Sequence, residues 1–365
     1  MSFSNSSTIE NLAKVIRGDM ALNGLAHLLA KDQAIDMDKL LNYHGVTALS
    51  LYENTKKAIN TDQEKDKLPL MVANESIKST ELKRILSGLN DRGLTRFLLF
   101  KGTALAYSIY EKPWLRPRTD TDILINESEL NKFVDAFTQL GYCREFAIDG
   151  DLISYQCTFS KHLAGNAHMH IDVHWRISNR QCLATVFNTE ELLQRALPLS
   201  KLANYAQIPN HIDSLVLACQ HRLGHHHTEE RLIWLYDIHL LANSLNKQDW
   251  GEFLKIVEQK HLSNICLDGL QNAQRYLNTE VAPKVIKQLI NLAQNDEPSA
   301  IFLNRSLSNW QILMSDLQSI SGISNKFRFV FQTLVPKPSY IRLKMKTRYA
   351  SWGYIKRAWQ GLKKL

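Results

Sequence analysis

Apolar positions recur at helical spacing from residue 9 to about 60, with Leu12, Val15, Ile16, Leu25, Leu28 and Leu29 among them, and predict a set of N-terminal helices. Asn60 to Pro69 is polar and charged and reads as a loop or hinge. Glu81 to Asp91 is amphipathic at helical period and leads into an apolar run, Thr95 to Phe100, expected to be a buried strand. Lys101-Gly102-Thr103 then turns into a second helix-like run, Ala104 to Tyr110. Asp120 to Ile125 reads as a strand entering a core. Asn126 with Glu129 three residues later signals a helix start, running to about Leu140 and stopped by Gly141. Tyr142 to Ile148 and Leu152 to Phe159 read as antiparallel strands across an Asp149-Gly150 turn. His168 to Trp175 alternates strictly: His168, His170, Asp172 and His174 fall on one face, and Met169, Ile171, Val173 and Trp175 on the other. After about Asn188 nearly everything has helical periodicity, and no internal repeat is evident.

This order of elements predicts an α+β protein: a small mixed β-sheet core with flanking helices, N-terminal helices, and a larger C-terminal all-helical domain. The expected divisions are 1–78 for the N-terminal helical region, 79–187 for the α/β core, 188–335 for the helical domain and 336–365 for a basic amphipathic tail.

The chemistry concentrates in the predicted sheet. Asp120 and Asp122 stand one residue apart in Arg116-Pro-Arg-Thr-Asp-Thr-Asp-Ile-Leu-Ile125, and a strand points alternate side chains the same way. Two adjacent carboxylates repel unless something positive lies between them, and a divalent cation with a taste for hard oxygens is the usual answer. Asp172, in the polar row of its strand, supplies a third carboxylate. A strand, a glycine turn and a helix aim unpaired backbone N–H groups at an anion; Gly102 permits close approach, and the Thr103 hydroxyl is placed to donate to a phosphate oxygen. Arg116 and Arg118 read either as phosphate ligands or as partners of Asp120 and Asp122. Lys101 reads as a phosphate contact or a surface lysine. His170 and His174 flank Asp172 and read as groups that orient its carboxylate, as contacts to acceptor or metal, or as residues of a half-exposed face. The run Gln220 to His227 does not suit a metal centre, because consecutive histidines do not converge on one ion; His221, Arg222 and Asp237 read instead either as a wall facing nucleotide or acceptor or as structural helix–helix hydrogen-bonding groups.

These residues resemble a known family. Lys101-Gly102-Thr103-Ala-Leu-Ala, Tyr110, Arg116, Asp120-Thr-Asp122-Ile-Leu-Ile, His170-Ile-Asp172-Val-His-Trp175 and Arg231-Leu-Ile-Trp-Leu-Tyr-Asp237 look like the uncharacterised bacterial branch of the polymerase-beta-type nucleotidyltransferases, over roughly residues 80 to 245. The resemblance implies that Gly102 and Thr103 hold the phosphates of an NTP, that Asp120 and Asp122 bind two Mg²⁺ (or Mn²⁺) ions, and that Asp172 joins one of them. It implies transfer of an NMP to a hydroxyl acceptor with release of pyrophosphate. Thr stands at 103 where the superfamily has Ser, and Lys101 is additional. Two other readings stay open: a non-catalytic, antitoxin-like nucleotide-binding partner, and an accessory factor of surface-polysaccharide assembly.

Composition adds bounds. The 365 residues are 44% hydrophobic and 22% charged, as expected of a folded protein with more than one core. Five scattered cysteines without a Cys-X-X-Cys pair argue for reduced thiols and against a zinc site. No run of eighteen apolar residues exists and the N-terminus lacks a basic start and apolar run, so a cytoplasmic location is expected, with peripheral contact to the inner membrane face as the variant. Net charge is +8, yet eleven Lys or Arg and no acid follow Asp316. Within that tail Met345, Tyr349, Trp352, Ile355, Trp359 and Leu362 read as one helical stripe, suited to anionic lipid, to RNA phosphates or to packing on its own body.

Overall fold

The computed structural model describes residues 5–32, 36–57, 62–145, 151–226, 229–293 and 297–362. Its centre is a five-stranded sheet of β1 (Phe97–Phe100), β2 (Thr121–Ile125), β3 (Cys143–Arg144), β4 (Gln156–His162) and β5 (His168–His174), in the order β1-β2-β5-β4-β3. β2 and β5 run parallel and the other neighbouring pairs antiparallel, so the sheet is mixed. The parallel register sets Asp122 directly opposite Asp172.

Ahead of the sheet come α1 (Ser6–Ile16), α2 (Leu22–Asp32), α3 (Met37–His44), α4 (Thr47–Lys56) and α5 (Asp62–Asn90). Between strands lie α6 (Lys101–Ser108) and α7 (Leu130–Gln139). Two short helices follow β5, α8 (Gln181–Ala184) and α9 (Thr189–Gln194). The helical half then runs through α10 (His211–Gly224), α11 (Leu232–Ser244), α12 (Lys247–Gln259), α13 (Ser263–Leu277), α14 (Pro283–Leu292) and α15 (Asn309–Ser319). It ends with α16 (Ile323–Leu334), α17 (Pro338–Met345) and α18 (Ala350–Leu362). The α+β class with a mixed sheet and large helical regions is as the periodicity predicts.

The two-residue period of the strands explains how the site is placed. Phe97, Leu99, Ile123, Ile125, Ile171 and Val173 point to one side, into a core shared with Leu82, Ile85 and Leu86 of α5 and Phe133 and Phe137 of α7. Leu98, Phe100 and Leu124 point to the other, into a core shared with the N-terminal helices and with α10, α11 and α13. Asp122, Asp172 and His174 share parity with that second set, so the sheet turns its polar row toward the helical half.

Four local expectations need correction. Residues 62–69 are helical: α5 carries Pro69 within it, because Gln, Glu and Lys are good helix formers and a polar run does not by itself mean a loop. Asn126 does not cap the next helix; a short 3₁₀ turn, Glu127–Glu129, intervenes, and the Asn126 Nδ2 donates to Glu190 Oε1 at 2.5 Å instead. Leu28 is exposed, although Leu25 and Leu29 on the same helix are buried. The tail is two helices, broken where Lys346 takes a left-handed φ of 50°, so Met345 is buried in one while Trp352, Ile355 and Trp359 stay exposed on the other, with Tyr349 exposed just ahead of it. The Asp149-Gly150 turn and His227 lie outside the described residues; β3 and β4 do pair antiparallel.

Candidate functional site

The site begins at the end of β1, where the chain must turn sharply from strand to helix. Lys101 makes that turn with φ 53°, a left-handed conformation costing a non-glycine residue about 1–2 kcal/mol. Its ammonium reaches the Asp122 carboxylate, Nζ to Oδ1 2.7 Å. α6 starts at once, and no side chain caps it. Gly102 stands in its first turn beneath Arg116: a Cβ there would come within 3.6 Å of the guanidinium.

Asp122 is buried and accepts a second hydrogen bond on the same oxygen, from His174 Nε2 at 2.8 Å. Burial works to raise this carboxyl, but the Lys101 ammonium and then His174 more than offset it and hold Asp122 well below the usual carboxylate range. For His174, burial and then Lys101 lower the imidazole, outweighing the attraction of Asp122. A neutral ring facing an ionised carboxylate carries its proton on Nε2, so His174 donates and fixes the Asp122 carboxyl, a role expected of it toward Asp172. Asp120 sits at the entrance to β2. Burial first, then the neighbouring Asp122, pushes it up to about 6, with Lys101 opposing and Asp172 adding to the rise.

Asp172 is held from its other side by β4. Thr158 Oγ1 donates to Oδ1 at 2.6 Å and Gln156 Nε2 to Oδ2 at 3.0 Å. Neither neutral donor cancels the charge. Ligand-type atoms of Asp122, Asp172 and His174 lie within 4.8 Å of one another. With the His174 Nε2 proton committed to Asp122, the donors left are hard carboxylate oxygens from two adjacent strands, a set that fits a small divalent cation.

A cavity of about 520 Å³ opens over these groups, roomy enough for a drug-sized ligand. Asp120, Asp122, Asp172, Gly102 and Lys101 form its floor; Arg116, Arg118, Lys78 and Glu75 one side; His221, His225, His226, Arg231 and Trp234 the helical side.

Several candidate residues have partners that the sequence does not show. The Thr103 side chain is fully buried, its hydroxyl 3.4 Å from the Asp120 carbonyl oxygen and 3.3 Å from Thr121 Oγ1, so it braces the start of β2 rather than facing the cavity. Arg116 is clamped by Asp237 of α11, Nε to Oδ1 2.9 Å and Nη2 to Oδ2 2.8 Å, with the Tyr110 hydroxyl donating to the same carboxylate at 2.6 Å. Asp237 thus fastens the sheet's loop to the helical half, a structural hydrogen-bonding role of the kind the sequence also allows. Arg118 is paired in a fork with Glu75, at 2.9 and 2.7 Å, and with the Tyr107 hydroxyl. His170 is half-exposed and meets Glu145 at 3.2 Å. Arg222 is buried against Glu230 and Asp268 and lies away from the cavity lining.

Some site residues escaped the sequence reading. Gln156 and Thr158 were detectable as the polar half of an alternating strand. Glu75 and Lys78 come from α5 and carry no local signal. His225 does: with His221 it forms an i, i+4 pair across the last turn of α10, and the two rings stack at 5.3 Å. The His225 Nε2 is buried without a hydrogen-bond partner among the described residues. Burial and then Lys101 hold both His221 and His225 well below the ordinary imidazole value, so both face the cavity as neutral rings.

Paired strand acids thus stand beside a strand–glycine–helix turn in one cavity. The chain belongs to a family described as uncharacterised nucleotidyltransferases, whose pattern matches residues 36–278. The match takes in α3 to α13 and the whole sheet, and with them every residue that lines the cavity. No curated protein matches the sequence.

Proposed function

We propose that the protein transfers an NMP from an NTP to a hydroxyl of an acceptor molecule and releases pyrophosphate, with Mg²⁺ held by Asp122, Asp172 and the adjacent Asp120. The observation that carries this reading is the register of β2 and β5, which puts Asp122 opposite Asp172 at the mouth of the Lys101-Gly102 turn.

In this reading the triphosphate lies against the first-turn amides of α6, where backbone N–H groups and helix dipole favour negative charge. Lys101 leaves Asp122 for a phosphate oxygen, and Arg116, held rigid by Asp237, faces the same anion across Gly102. Asp172 accepts the proton of the attacking hydroxyl. The new bond joins that oxygen to the α-phosphorus, and the bond from the α-phosphorus to the bridging oxygen breaks as pyrophosphate departs. Bound Mg²⁺ supplies charge neutralisation at the phosphates. Thr158, Gln156 and His174 keep the carboxylates in place before the substrate arrives, which spares reorganisation during reaction. The neutral rings of His221 and His225 and the face of Trp234 offer a surface for a base or for the acceptor.

The test is incubation of the purified protein with each of the labelled NTPs, Mg²⁺ and a cell extract. Label moving from one NTP into one fraction, with pyrophosphate formed in step, identifies nucleotide and acceptor together. Transfer that survives Asp122→Asn or Asp172→Asn rules the assignment out.

A second reading rests on the Lys101–Asp122 ion pair. A resident ammonium on the central carboxylate makes a nucleotide-binding partner without turnover, since the charge a cation would neutralise is already met. Calorimetric binding of nucleotide without any pyrophosphate release selects this reading.

A further inference from the structure

The three last helices show a surface that nucleotidyl transfer does not use. They are tied to one another: the Tyr354 hydroxyl donates to the Pro336 carbonyl, Arg357 Nη2 donates to the Thr333 carbonyl at 2.8 Å, and Gly353 lies against Ile341 so closely that a Cβ would collide with it at 2.4 Å. Packing is thus handled by Phe329, Ile341, Met345 and Gly353. The large apolar side chains on the outside serve something else. Ile323, Phe327, Phe331 and Leu334, at spacings of four, four and three along α16, are each at least 64% exposed. Tyr349, Trp352 and Ile355, leading into and along α18, are each at least 57% exposed. Chains rarely leave such side chains in water without a partner.

Charge narrows the partner. Eleven Lys and Arg between 326 and 364 with no acid after Asp316 make this segment strongly cationic, whereas the rest of the chain is mildly acidic. A second copy of the same face would bring the same charge. Single-stranded RNA would stack on Phe, Tyr and Trp but gains nothing from Ile323, Leu334 and Ile355. Helices with basic residues and mixed aliphatic and aromatic rows match the interface of an anionic bilayer, where apolar side chains enter the acyl boundary and Tyr and Trp sit at the headgroups. No helix among the described residues is long and apolar enough to cross a membrane.

We infer that α16 to α18 dock the protein onto the surface of an anionic lipid bilayer. This does not depend on the nucleotidyl-transfer reading. The test uses the full chain in co-sedimentation with phosphatidylcholine vesicles, with and without phosphatidylglycerol. Binding should favour the anionic vesicles by at least about tenfold and weaken as salt rises. The double variant Phe327→Ser/Trp352→Ser should lose at least about tenfold in partitioning with unchanged thermal unfolding, because both side chains are solvent-exposed. The inference is overturned by equal binding to both vesicle types, by undiminished binding of the double variant, or by release from vesicles by single-stranded RNA at low concentration. Self-association that the double variant abolishes, seen by sedimentation velocity without vesicle binding, also overturns it.

Discussion

The two faces of the central sheet are built from the same strands and obey opposite rules. On one face Phe97, Leu99, Ile123 and Phe159 make an apolar layer under α5 and α7, with Phe159 stacked on Phe137 of α7 at 5.0 Å. On the other, Leu98, Phe100 and Leu124 begin a similar layer, which gives way to Asp122, Asp172 and His174 where the helical half opens into a cavity. A single residue step in register would exchange the two. Apolar burial on one face therefore fixes where the acids stand on the other, and the energy that holds the acids in place is spent away from the chemistry.

The largest effect should come from breaking the chemical face. Asp122→Asn is expected to abolish transfer, by at least about a thousandfold, and also to destabilise the fold by about 3–5 kcal/mol, since it leaves the nearly buried Lys101 ammonium without its counter-charge. Asp172→Asn should abolish transfer equally but change stability far less, because its partners Thr158 and Gln156 are neutral. Pyrophosphate release and urea unfolding, measured side by side, separate the two; equal stability losses would refute the difference drawn between them.

Breaking the apolar face should do the reverse. Phe159→Ala, at a fully buried position, is expected to cost about 3–5 kcal/mol in denaturant unfolding while the folded fraction keeps its turnover per molecule.

The pH dependence of Asp120 sharpens the comparison, because this carboxyl stands on the acid face. Asp120 is held up to about 6 in the folded state against an ordinary 3.8, so the native protein binds more protons than the unfolded chain between those values. Stability from this group is present at low pH and is lost as pH rises through that window, with the full cost of ionisation felt above it. Asp120→Asn should flatten this part of the stability–pH curve and raise stability at neutral pH. A wild-type curve that rises across the window with no difference from the variant would count against it. Mg²⁺ should counter the same cost, raising the melting temperature of the wild type at neutral pH and leaving the Asp122→Asn/Asp172→Asn double variant unmoved.

The smallest effect is reserved for the row's outer end. His170→Ala removes a half-exposed contact with Glu145 and should shift stability by no more than about 0.5 kcal/mol. A large loss of turnover in this variant would mean that the working part of the polar row extends beyond Asp172.

Much of this was readable along the chain, because strand alternation is a local rule. Asp120, Asp122, Asp172 and His174 declare themselves by spacing, and so does the glycine turn at 102. The family assignment follows from those same motifs and from Arg231 to Asp237. What misled was local pattern read without context: the charged stretch from 62 became helix, and the evenly spaced tail stripe from Met345 to Trp359 proved to be two helices. The roles of single side chains fared less well. Thr103 turned inward, Arg118 went to Glu75, and His225 entered the cavity from a run of histidines that looked unconvergent.

By itself the sequence determined the sheet's two-faced character and the acids it carries, since both depend on residues two apart. Only the tertiary structure decided that Asp122 faces Asp172 across a parallel pair, that Lys101 and His174 both serve Asp122, and that Arg116 is held by Asp237 from 121 residues away. Those are contacts between distant segments, chosen by which buried charge finds which partner once the helical half closes over the sheet, and no local pattern records that choice.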